Sequence, residues 1–167
     1  SATNEAIMRA ESREEMFELV CEAAVAGAKF TFTVVGLARD NEDFFEIVAA
    51  AGPTAARGRT LKYSPRADLP EGRGITGTAY RTRKPAVSND YQADQRSAPW
   101  RGVPNASQSG AAIPLVISGQ SIGFLLFMSA EKNTFTPAFV DLLQRLTDNV
   151  SFALENFDRR DEAKKAD

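Results

Sequence analysis

The chain of 167 residues has no histidine and a single cysteine, Cys21. Without histidine it lacks the commonest general base and the usual activator of a nucleophile. Haem loses its most frequent axial ligand and zinc one of its two principal ligand types. One cysteine cannot form a disulfide within the chain, which suits a reducing compartment, so a cytoplasmic location is expected. No apolar run approaches the length of a membrane-spanning helix, and no basic-then-apolar leader opens the sequence. Repeats and low-complexity tracts are absent. No carboxylate cluster has metal-ligand spacing; Asp40-Asn41-Glu42 lacks the spacing and glycine of a calcium loop. These absences predict a domain that is not an enzyme, carries no cofactor or metal, and contacts neither membrane nor nucleic acid.

What remains is an ordinary globular composition, 43% hydrophobic and 25% charged, at a length that suits one domain with a sizeable core. The net charge of −2 leaves no electrostatic footprint for nucleic acid over the whole chain. Charge is nevertheless uneven. Between Arg57 and Lys84 stand eight basic residues (Arg57, Arg59, Lys62, Arg66, Arg73, Arg81, Arg83, Lys84) against two acidic ones, Asp68 and Glu71. A solvated face explains such clustering; so does an anionic ligand or an acidic partner domain.

Periodicity predicts a helix over Asn4–Gly27, with Ile7, Ala10, Phe17, Val20, Cys21 and Ala24 on one stripe and Cys21 as a core residue. Lys29–Ala38 alternates as a strand, Asp43–Ala51 is its hairpin partner, and Thr60–Ser64 is a further strand-like island. Gly74–Arg83 reads as a helix stopped by Pro85, and Ala86–Ser88 as a short strand. Ser109–Ile117 and Ser121–Ser129 are apolar on both faces, so they should be central strands joined by a tight turn at Ser118-Gly119-Gln120. Pro114 cannot donate to a ladder and must face an edge or a bulge. Thr136-Pro137 starts a last helix. Its inner stripe is Phe139, Leu142, Leu146, Val150, Ala153 and Phe157, widened by Leu143 and Leu154.

The segment between Thr76 and Ser109 must cross a sheet face, with Asp90–Asn105 as a polar, partly helical run. A small-molecule pocket is mostly apolar wall with a few convergent polar groups. Trp100 could serve as a wall, with Arg96 or Arg101 as a carboxylate or phosphate clamp and Tyr91 beside them. The plainer reading has Trp100 anchoring the crossing while the arginines are solvated. Gly72-x-Gly74-x-x-Gly77 matches a dinucleotide-binding fingerprint, and Asp90 or Asp94 falls near the required distance downstream. No buried strand leads into the first glycine, however, so the pattern reads as a close backbone approach or positive φ at the start of a helix.

Taken together, LPEGRGITGTAYRTRKPAVSND, DQRSAPWR, SGAAIPLVISGQSIGFLLFMS and FTPAFVDLLQRLTDNVSFALENFDRR resemble the GAF domain, in particular GAF domains upstream of GGDEF or EAL domains in bacterial cyclic-di-GMP signalling proteins. The resemblance covers about residues 6–160. It implies an α+β fold: an antiparallel sheet of about six strands, the N- and C-terminal helices on one face, a pocket-forming segment on the other. Gly72, Gly74 and Gly77 match the family's glycine run, Asp90 its acidic residue after the short strand, and Trp100-Arg101 the subgroup's Pro-Trp-Arg. The expected ligand-binding residues are thus Trp100, Arg101, Arg96, Asp90 and Tyr91, with Thr76 and Ser109 at the ends of the crossing.

Departures from the family narrow the chemistry. There is no pocket cysteine for a bilin, no histidine for haem, and not the several cysteines of the methionine-sulfoxide-reducing members. Of the NKFDE pattern of cyclic-nucleotide members, Phe135 can match the Phe, but Phe139 stands where an acid is expected. The resemblance therefore implies a small-molecule-sensing regulatory domain over residues 1–167, with a core at about 6–157 and the start of a connector helix at 158–167. A parallel homodimer through the terminal helices and a downstream output domain, diguanylate cyclase or phosphodiesterase, are the expected partners, and the ligand would be anionic if the basic segment serves it. The alternative is a structural dimerisation module with a vestigial pocket.

Overall fold

The computed structural model describes residues 2–101 and 107–166. Part of the expected Asp90–Asn105 run therefore lies outside the described residues. Five strands, β1 (Phe32–Leu37), β2 (Glu46–Ala51), β3 (Ala86–Ser88), β4 (Ser109–Ile117) and β5 (Gln120–Ser129), form one antiparallel sheet in the order β2-β1-β5-β4-β3. The two longest apolar runs take central positions, because only a central strand has both faces covered.

Side chains alternate across this sheet, and each side belongs to a separate core. Val35, Leu37, Ala111, Ile113, Leu115, Leu125 and Phe127 face one way. Phe32, Val34, Ala112, Phe124, Leu126 and Met128 face the other. The register shift between Val35 and Gly36 inserts Val48 as an extra residue in β2, so that Val48 and Ala49 both lean on the first core. Ser118 (φ 51°) and Gly119 (φ 76°) both occupy the left-handed region, which makes the β4–β5 connection a two-residue type I′ turn. The β3–β4 ladder ends at Ala112, two residues before Pro114, and a bulge follows at Leu115/Val116. The missing proline donor is thereby accommodated.

Helices α1 (Ala2–Arg9), α2 (Arg13–Ala28) and α5 (Pro137–Ala166) belong to the first core. The single helix expected over Asn4–Gly27 is thus two. Ser12 is the reason: its Oγ accepts a hydrogen bond from the Glu15 amide at 3.1 Å and caps α2. Met16, Phe17, Val20, Cys21 and Ala24 are buried along α2, and Lys29 closes it in the left-handed conformation. Helix α5 starts as its Thr-Pro signal foretells, with the Phe139 amide donating to Thr136 Oγ1. Its inner stripe differs from the expectation at one place. Leu143 is 4% exposed whereas Leu142 is 52% exposed. Leu143 and Leu154 are core residues of the single chain, not a surplus face.

The opposite face carries no long helix. It is covered by the short helices α3 (Ala55–Gly58) and α4 (Ile75–Thr82), by 3-10 turns at Pro70–Gly72, Tyr91–Ala93 and Gln95–Trp100, and by loops. Among the described residues the sheet has five strands against the expected six. Thr60–Ser64 is irregular: the Phe45 amide donates to Tyr63 O at 2.8 Å, but Ser64 turns its own amide to Glu71 O at 3.1 Å. Pro65 follows at once and cannot extend a ladder. The same region shortens the expected Asp43–Ala51 strand, since Asp43 is engaged by Ser64 and Arg66 and β2 begins only at Glu46.

Candidate functional site

The crossing is built from its glycines outward. Gly74 caps α4 in extended backbone geometry (φ −80°, ψ −172°). A Cβ on Gly72 would lie 1.7 Å from the Arg66 carbonyl oxygen, and one on Gly77 would lie 2.3 Å from the Gly72 carbonyl oxygen. A Cβ on Gly74 would lie 2.5 Å from the Trp100 ring. Close approach, rather than positive φ, is what this glycine run provides. The lead-in is a 3-10 turn, so the dinucleotide reading fails on its context.

Trp100 is 8% exposed and donates its indole N–H to Lys62 O at 3.1 Å. Its ring begins a chain of aromatics. Trp100 meets Tyr63 at 5.2 Å, Tyr63 meets Phe124 at 5.7 Å, Phe124 meets Phe45 at 4.9 Å, and Phe45 meets Tyr80 at 5.1 Å between centroids. Trp100 therefore pins the crossing to the sheet and lines the second core at the same time. Tyr91 belongs to the same cluster, with its amide donating to Gln108 O at 2.8 Å. Burial pushes the Tyr63 and Tyr91 phenols above their usual range, so both stay neutral.

The charged candidates divide. Arg96 forks onto Asp94, its Nη2 2.6 Å from Asp94 Oδ2, and also donates to Val87 O at 2.9 Å. Asp94 caps the 3-10 turn through the Arg96 amide, and its bond with the Arg96 guanidinium holds it well below the usual carboxylate range. Arg96 is thus a brace of the crossing, already partnered. Arg101 is exposed and makes one long contact, 3.5 Å to Gln92 O. Asp90 is exposed and stands 3.6 Å from Lys132 Nζ. At the ends of the crossing, Ser109 is buried and its hydroxyl donates to Glu131 O at 2.6 Å. Thr76 is 1% exposed, and among the described residues its hydroxyl has no hydrogen-bond partner. A buried hydroxyl without a partner costs about 1–3 kcal/mol, so of the seven expected residues Thr76 is the one with unmet polar demand inside this face.

Two residues that sequence reasoning passed over organise the neighbourhood. Gln92 accepts from Arg101 through its carbonyl and donates its side-chain amide to Ser107 O at 2.9 Å, joining the two described edges of the crossing. Asn89 grips the backbone of Phe135 from both sides: its Oδ1 accepts from the Phe135 amide and its Nδ2 donates to the Phe135 carbonyl, each at 3.0 Å. Asn89 backbone oxygen also accepts from the Asn133 amide at 3.0 Å. An asparagine after a short strand signals a turn, but no local pattern announces a partner 46 residues away. Cys21 sits in the opposite, helical core, fully buried, where desolvation drives its thiol far above the usual range and keeps it protonated.

Among the described residues no helix is long and apolar enough to cross a membrane. No curated protein matches the sequence. Solved structures do match in fold. The GAF domain of an Acinetobacter phosphoenolpyruvate-protein phosphotransferase superposes with a TM-score of 0.75 at 12% identity, over 93% of this chain and 91% of that one. The free methionine-R-sulfoxide reductase of Neisseria meningitidis superposes at 0.77 and 16% identity, over 95% and 87%. The second GAF domain of DevS from Mycobacterium smegmatis superposes at 0.66 and 20% identity, over 89% and 99%. The profile of the GAF domain matches residues 10–155, and with five antiparallel strands between a helical layer and a short-helix crossing, the chain belongs to the GAF domain family, whose members commonly serve as sensory and regulatory domains of signalling proteins.

Proposed function

We propose that this chain is the small-molecule-sensing domain of a bacterial cytoplasmic signal-transduction protein, with a ligand held under the Thr76–Ser109 crossing and its state passed through α5 to an output domain. The observation that carries this reading is the Asn89 clamp. Asn89 lies between β3 and the crossing, and Phe135 lies one residue before the Thr136 cap of α5. Any displacement of the crossing therefore pulls directly on the start of the long helix. The unpartnered Thr76 hydroxyl supplies a polar contact for a ligand within that face, and exposed Arg101 supplies a charge at its rim. A ligand acts here only through different affinities for two arrangements of crossing and helix.

The output we propose is a diguanylate cyclase or phosphodiesterase domain. This rests on the Pro99-Trp100-Arg101 run together with the glycine pattern, and not on the structural neighbours named above, a phosphotransferase, a sulfoxide reductase and DevS. Sulfoxide reduction by thiol chemistry would fall to Cys21 alone, which is buried on the wrong side of the sheet.

A homodimer through the terminal helices completes the proposal. Met8, Leu142 and Phe152 are 86%, 52% and 64% exposed on α1 and α5. A concavity of about 560 Å³, lined by Ala24, Phe30, Phe139, Leu142 and Leu146 among others, opens between α1, α2 and α5. The test is native mass spectrometry of the purified protein, followed by thermal-shift measurements with amino acids, organic acids and nucleotides. A ligand that raises the midpoint by mass action, and fails to do so in Thr76→Val and Arg101→Ala, supports the reading. No co-purifying molecule and no shift across the panel leaves the structural dimerisation module.

A further inference from the structure

Among the described residues the basic segment keeps most of its charge without an acidic partner after folding. Of its eight cations, Arg59 pairs with Glu18 at 2.8 Å, and Arg66 pairs with Asp43 at 2.7 Å and Asp68 at 2.5 Å. Arg73, Arg81 and Arg83 instead donate to carbonyl oxygens, which orient a guanidinium without cancelling its charge. Two of these three converge on one cleft. It lies between the C-terminal end of α4 and the β4–β5 hairpin, has a volume of about 260 Å³, and is lined by Tyr80, Arg81, Arg83, Gln120 and Ser121.

Both guanidiniums are held in place by the fold. Arg81 Nη1 donates to Gly72 O at 2.7 Å and to Pro65 O at 3.1 Å. Arg83 closes α4 in the left-handed conformation (φ 60°), and its Nη1 donates to Gly119 O at 2.9 Å. Ser121 lines the same cleft, and its hydroxyl is buried without a hydrogen-bond partner. Gln120, exposed beside it, adds an amide donor. Burial lowers the Arg81 pKa.

We infer that this cleft is a binding site for a phosphate-class oxyanion, separate from the ligand site proposed beneath the crossing. Arg81 and Arg83 from the end of α4 and Gln120 and Ser121 from β5 line the cleft from two different elements, and donors of these types suit a tetrahedral group with several acceptor oxygens better than one planar carboxylate. Among the described residues no carboxylate lines the cleft to repel an anion. A bound phosphate would tie the end of α4 to the β4–β5 turn, a second hold on the helix that carries Thr76.

The test is calorimetric titration of the whole chain with inorganic phosphate at low ionic strength, alongside acetate and glucose 6-phosphate. The expected result is saturable binding of one phosphate per chain, weakened at least about tenfold in Arg83→Gln and in Ser121→Ala, with Lys164→Gln on the far end of α5 unchanged. Inorganic phosphate binding as tightly as the sugar phosphate assigns the site to the free ion; markedly tighter sugar phosphate assigns it to a phosphorylated metabolite. No saturable binding up to about 10 mM phosphate overturns the inference. So does acetate binding as well as phosphate, or a loss in Lys164→Gln equal to that in Arg83→Gln, which would mark diffuse charge attraction.

Discussion

The two faces of the sheet are covered by different materials. One carries three helices whose buried set is largely aliphatic: Val20, Leu143, Val150, Leu154 and their neighbours. The other carries two short helices, three 3-10 turns and loops, pinned by Trp100, Tyr63, Phe45 and Phe124 and by side-chain bonds to backbone. Long helices satisfy their own amides and need only an apolar stripe to dock. Short turns cannot, so Asp94, Gln92 and Ser97 serve the backbone of the crossing, and Asn89 ties it to the backbone of Phe135. The helical face is built for stability. The crossing face gives up regular structure and thereby gains polar groups next to an apolar wall, which is what a binding site requires.

The contrast can be broken hardest at Leu154, which is fully buried in the helical core. Leu154→Ala is expected to cost about 3 kcal/mol, read as a lower urea midpoint with unchanged slope. A loss below about 1 kcal/mol would show that the helical layer is not the stabilising one. Asn89→Ala should rank next. It strips two partners from the Phe135 backbone and is expected to cost about 2 kcal/mol. Faster amide exchange should spread from the start of α5 into β3 and no further. Protection that stays uniform would sever the proposed link between crossing and helix.

Asp94→Asn sharpens the comparison through pH. The carboxyl of Asp94 is held below its unfolded value, so its contribution is present above about pH 4 and is lost as pH falls through the lower, folded value. Asn retains an acceptor for the Arg96 amide but not the charge. Because the Arg96 side chain is 41% exposed, solvent screens the pair and the expected loss at pH 7 is only about 1 kcal/mol. Wild type and variant should converge as pH drops from about 5 toward 2; parallel curves would remove Arg96 as the cause. The smallest expected effect is at the surface. Leu142→Glu and Phe152→Glu should leave monomer stability within about 0.5 kcal/mol, since both side chains are more than half exposed. Sedimentation should nevertheless show the proposed homodimer dissociating. An unchanged mass would end that part of the proposal, and it could not be tested at Leu143 or Leu154, where glutamate would unfold the chain.

The sequence by itself determined the elements whose periodicity speaks. The two-sided apolar runs at Ser109–Ile117 and Ser121–Ser129 read as central strands, and the Thr136-Pro137 start with its stripe as a core helix, and the structure has both. The apolar stripe of the expected first helix runs straight through Ser12, so periodicity alone did not show the cap that divides it in two. What lay beyond local pattern was decided by neighbours distant in the chain. Leu142 and Leu143 are adjacent in sequence and equally apolar, and only the way α5 docks on the rest of the chain buries one and leaves the other open. The glycine run announced a close approach or a positive φ, but not which, nor that the Arg66 backbone and the Trp100 ring press against it. Arg96 reads as a free clamp until Asp94 closes on it, while Arg81, Arg83 and Ser121 come together only when α4 folds over the β4–β5 turn. Periodicity records which face of an element is buried; it does not record what is buried there, because side-chain partners across a sheet are set by the packing of whole elements and not by spacing along the chain.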